Sequence, residues 1–84
     1  MNRKYPPETT TLVVKRSVYL MAQSVIEEAN AEGETPASLL ADKKVTEFLA
    51  AGDRRAARFW SEVQMFILTQ AYMNGNLQII EDDA

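Results

Sequence analysis

Apolar residues recur along this chain at helical spacing in three blocks, each separated from the next by residues that stop or start helices. From 11 to 31, Val14, Val18, Met21, Ala22, Val25, Ile26 and Ala29 keep the i, i+3, i+4, i+7 rhythm of an amphipathic helix. Gly33 ends it, and Thr35 before Pro36 reads as an N-cap followed by proline at the first helical position. A second helix over 36–51 turns Ala41, Val45, Phe48 and Leu49 inward. Gly52 then closes it, and Asp53 caps the next. The third helix, over 54–73, presents Ala56, Phe59, Trp60, Val63, Phe66, Ile67 and Ala71 on one face before Asn74-Gly75. The pattern predicts an all-α fold, a small three-helix bundle forming one domain over 1–84. Tyr5, Pro6, Pro7 and the threonine run make 1–10 a disordered arm, one of whose threonines caps the first helix, and 74–84 is a short apolar, acidic-ended tail. A hairpin of ILTQAYM and NLQII about Asn74-Gly75 is the competing local reading, disfavoured because the helical period continues unbroken into Ala71.

Composition narrows the chemistry. At 84 residues a single core leaves only a small net stability, so association with a partner is a natural supplement. Histidine and cysteine are both absent, which removes the usual general base, the soft metal ligands and the most nucleophilic side chain. Ser17, Ser24, Ser38 and Ser61 have no base evident beside them and read as surface or packing serines. Glu28 and Glu32 stand one turn apart on a helix, yet no loop adds oxygen ligands, so a solvated helix end is the simpler reading. The expectation is a non-enzyme with no cofactor, metal or small-molecule substrate. No apolar run approaches the roughly 20 residues of a membrane span, and Lys15 and Arg16 interrupt any signal-peptide core. A cytoplasmic location without membrane association is expected.

Apolar residues left over after the core is assigned point towards function. Met65, Leu68 and Tyr72 fall opposite the Trp60, Val63, Ile67 face of the third helix, and Val13 and Leu20 lie off the main stripe of the first. Either the tail residues Leu77, Ile79 and Ile80 fold back over this surplus, or another chain meets it. The leading expectation is a non-catalytic protein-interaction module that binds a protein partner, or itself as a homodimer, through Met65, Leu68, Tyr72, Leu77, Ile79 and Ile80. Charge supplies the alternative. The net of −3 conceals an acidic cluster of Glu27, Glu28, Glu32 and Glu34, which suits a small phage- or plasmid-type inhibitor occupying a basic surface of a nucleic-acid-handling complex. Arg54, Arg55 and Arg58 open the third helix against its dipole, hinting at an anionic contact, with pairing to Glu62 or the tail acids as the equal alternative. Direct nucleic-acid binding is disfavoured, because Phe48 stands where a helix-turn-helix needs a small residue.

The run LADKKVTEFLAAGDRRAARFWSEVQMFI, preceded by MAQSVIEEANAEGETPA, resembles a group of short alphaproteobacterial proteins of unassigned function. The shared pattern is an alanine-rich first helix (Ala22), an alanine near the start of the second (Ala41), the Gly52-Asp53 break, and Trp60 with Val63 three residues later. The resemblance spans residues 20–67 and implies a helical fold, with no functional residue attached to it.

Overall fold

The computed structural model describes residues 11–72 and 76–82, together with side chains up to Gln70 and from Asn76. Five elements follow in order: β1 (Thr11–Lys15), α1 (Arg16–Glu32), α2 (Ala37–Ala50), α3 (Arg54–Tyr72) and β2 (Asn76–Ile80). The three helices match the apolar periodicity, but the fold is not all-α. Residues 11–15 are a strand where the first helix was expected, and the tail is a second strand rather than a loose end. The two pair in parallel, Thr11 opposite Asn76 through Lys15 opposite Ile80, so the three helices together form the crossover that a parallel pair requires. The hairpin reading fails differently: ILTQAY is helical, and NLQII finds its partner at the other end of the chain. The arm and Asn74-Gly75 lie outside the described residues.

The strand escaped the periodicity for a physical reason. Val14 and Val18, four apart, satisfy a helical period, while Leu12 and Val14 equally satisfy a strand's period of two. In the folded chain the second pattern wins. Val14 is buried and Leu12 partly so, whereas Thr11, Val13 and Lys15 are exposed. Thr11, Val13 and Val14 are β-branched, which favours the extended form once a partner strand is within reach.

Helix boundaries follow the capping chemistry with one displacement. Gly33 and Gly52 take left-handed φ values of 77° and 81°, closing α1 and α2 as a β-carbon-free residue does most cheaply. Asp53 caps α3, its side chain accepting from the Ala56 amide at 3.0 Å. At α2 the cap is Pro36, not Thr35: its carbonyl accepts from the amides of Leu39 and Leu40 at 3.0 and 3.2 Å, and the helix begins one residue later than expected.

The core lies where α1, α3 and β1 converge under α2. Val14, Val18, Ala22 and Val25 meet Val63, Phe66 and Ile67, and Ala41 is the point at which α2 enters. Ala22, Ala41 and Val63 are wholly shielded from solvent, so small side chains let the three helices approach closely there. Tyr19 meets Phe66 edge-on, with centroids 6.0 Å apart. Several inward assignments change: Val45, Phe48, Ala56 and Phe59 are only half-buried, and Ala57 rather than Ala56 is the buried alanine of α3. Leu49 is 58% exposed, and Trp60 is only half-buried at the edge of the core, edge-on to Phe59 with the Lys44 ammonium above its ring.

Candidate functional site

The apolar surplus survives folding. Met65 and Leu68, one turn apart on α3, are 58% and 39% exposed, and Leu77, Ile79 and Ile80 on β2 are 45%, 44% and 39% exposed. The tail therefore does not fold back over the α3 stripe. It is held to one side by β1, and β2 is exposed along its whole length. Tyr72 closes α3, and its side chain lies outside the described residues. Leu20 is exposed, as its position off the main stripe of α1 predicts, whereas Val13 is exposed because it alternates with the inward Leu12 and Val14 on β1.

The structure brings part of the expected set together. An open groove of about 430 Å³ runs between β1 and α3, bordered by Leu12, Val14, Met65, Phe66, Thr69 and Ile80. Met65 and Ile80, 15 positions apart in sequence, thus share one depression whose lining is mainly apolar. Leu77 and Ile79 occupy the register positions beside Leu12 and Val14, so they lie on the sheet face that carries the core. Val14 is buried in the core and Leu12 packs against it, while Leu77 and Ile79 stay exposed at the edge of the sheet. Sequence reasoning missed Leu12 as a member of this surface. The helical period claims Leu12 for a helix, and the signal that finds it is the alternation in TLVVK.

A polar clasp anchors β2. Asp82 accepts a hydrogen bond from the Ser17 amide at 2.9 Å and a second, short one from the Ser17 hydroxyl, and Arg16 donates to Glu81 at 3.0 Å. Asp82 thereby satisfies an amide of the first turn of α1, whose own N-cap residue, Lys15, contributes no side-chain bond. These bonds hold the Asp82 carboxyl below the usual carboxylate range, the Ser17 hydroxyl contributing most and the Ser17 amide next.

The charged candidates fall into two groups. Arg55 and Arg58 border a small cleft with Lys15, Ser17, Glu62 and Asp82, but among the described residues Arg54, Arg55 and Arg58 form no ion pair with Glu62 or the tail acids. Glu27, Glu28, Glu32 and Glu34 are all exposed at the far end of α1, and none forms an ion pair among the described residues. Among the described residues, these glutamates included, no three acidic side chains are placed to hold a metal ion. No described helix is long and apolar enough to cross a membrane. No family model matches this chain, and neither a curated protein nor a solved structure matches it.

Proposed function

We propose that this chain is a non-catalytic protein-interaction module whose binding surface joins the outer stripe of α3 to the strand pair. The observation that supports it is the persistence of Met65, Leu68, Leu77, Ile79 and Ile80 at the surface of a folded domain whose core is already complete without them. Tyr72 continues the i, i+3, i+7 spacing of the stripe and belongs to the same proposal. Exposed large apolar side chains cost solubility, and the groove that Met65 and Ile80 share gives a partner an apolar depression to fill.

A second reading has an observation of its own. Glu27, Glu28, Glu32 and Glu34 are solvent-exposed and without cationic partners among the described residues, which leaves their field available to a basic surface. In this reading the protein is a small acidic inhibitor or regulator of a nucleic-acid-handling complex.

One experiment separates them. The wild type, a variant carrying Met65→Lys with Leu68→Lys, and a variant with all four glutamates changed to Gln are each used to capture partners from the native host. The interaction-module reading expects the lysine pair to abolish specific capture and the glutamine variant to retain it, with little sensitivity to moderate salt. The reverse order, with binding collapsing as the Debye length falls below about 10 Å, establishes the acidic reading instead.

A further inference from the structure

Among the described residues the outer edge of β2 is open. Among the described residues β2 has β1 as its only strand partner, and all five of its residues are exposed, so the amides and carbonyls of its outer edge have no ladder to join. Two strands are fewer than a sheet normally needs to stand, and parallel strands are ordinarily covered on both faces. Natural edge strands are usually blunted by lysine, proline or a bulge. Asn76-Leu77-Gln78-Ile79-Ile80 has no charge and no proline, and pairs with β1 without a bulge.

We infer that β2 pairs with the β2 strand of a second copy of this chain, antiparallel and centred on Gln78, to form a four-stranded sheet across a twofold axis. The inference rests on the interaction-surface reading and names its partner. Charge selects the direction. Glu81 and Asp82 follow the strand directly, so parallel association would stack four carboxylates side by side, whereas antiparallel association sends the two acidic ends to opposite extremes of the sheet. Register follows from the apolar positions. With Gln78 opposite its own symmetry mate, Leu77 faces the partner subunit's Ile79 and Ile79 faces the partner subunit's Leu77. Both pairs lie on the face that already carries Leu12 and Val14, so the apolar row of one copy runs on into that of the other. The clasp from Asp82 to Ser17 holds β2 extended before association, which lowers the ordering cost of pairing.

The chain has no cysteine, so a single introduced thiol reports the geometry directly. Sedimentation of the wild type should show a concentration-dependent species at twice the 9.5 kDa chain mass. Mild oxidation of Gln78→Cys should trap that dimer covalently, while Asp42→Cys, on the exposed side of α2, should not be trapped. Ile79→Lys should sediment as a monomer with its helical circular dichroism retained. A wild type that stays monomeric up to millimolar concentration overturns self-pairing and leaves the foreign-partner reading standing. A dimer that survives Ile79→Lys, escapes trapping at Gln78→Cys and dissociates on Met65→Lys with Leu68→Lys overturns strand pairing and makes the α3 stripe the interface. Loss of helicity in Ile79→Lys shifts the decision to Gln78→Cys, where failure to trap a wild-type dimer overturns the proposed register.

Discussion

Asp82 caps a helix whose second residue, Ser17, lies 65 residues earlier in the chain, its carboxylate accepting from both the amide and the hydroxyl of Ser17. The contact joins the two ends of the described chain and fixes the strand that carries Leu77 and Ile79. Arg16 and Glu81 lie alongside, but with side chains 60% and 79% exposed their ion pair contributes little.

This clasp makes the strand pair sensitive to acid. The Asp82 carboxyl titrates below its unfolded value of about 3.9, so its contribution is complete above that pH and is lost as pH falls through the lowered folded value. Amide protection along Asn76–Ile80, measured relative to the intrinsic exchange rate at each pH, should fall in that acidic window while the core of α3 stays protected. Asp82→Asn should weaken the protection at neutral pH and abolish its acid dependence. An acid response unchanged in that variant would assign the effect to another carboxyl.

Phe66 and Met65 are neighbours in sequence with opposite roles. Phe66 is 5% exposed and packs on Tyr19, so Phe66→Ala should cost about 3 to 5 kcal/mol, comparable to the whole stability of a small domain. Met65, 58% exposed, should tolerate alanine within about 0.5 kcal/mol. Denaturant titrations of the two variants under monomeric conditions measure the difference, and equal losses would mean that the stripe is internal.

Trp60 sits at the core's edge, so Trp60→Ala should be milder than Phe66→Ala and should leave a cooperative unfolding transition. Its emission maximum should lie between those of buried and fully exposed indole. Lys44→Met, which removes the ammonium 6.0 Å from the ring centroid, should alter the emission without changing the fold. A fully exposed spectrum in the wild type would contradict this packing.

The connection between α2 and α3 rests on two adjacent residues with different physics. Gly52→Ala meets no neighbouring atom but must hold a φ of 81°, which costs about 1 to 2 kcal/mol in backbone conformation alone. Asp53→Ala deletes the bond to the Ala56 amide and should cost about 0.5 to 2 kcal/mol. Asp53→Asn should recover most of that loss, and thermal melts of the three variants check the order.

Much of the fold was legible because its determinants are local. Gly33, Gly52 and Asp53 act on backbone groups within four residues, and the periodicity of Val18, Ala22, Val25, Val63 and Phe66 needs only one helix to be expressed. The apolar surplus at Met65 and Leu68 was legible for the same reason, since a helix that is apolar on two sides declares itself without its neighbours. What tertiary structure alone decided is non-local. TLVVK satisfies both periods, and it becomes a strand because NLQII, more than 60 residues away, offers it a ladder that no nearby segment supplies. Asp82 as the cap of α1, the meeting of Met65 with Ile80 at one groove, and the half-burial of Trp60 depend likewise on how the helices cross, and crossing is set by side-chain packing between segments that one-dimensional periodicity does not encode.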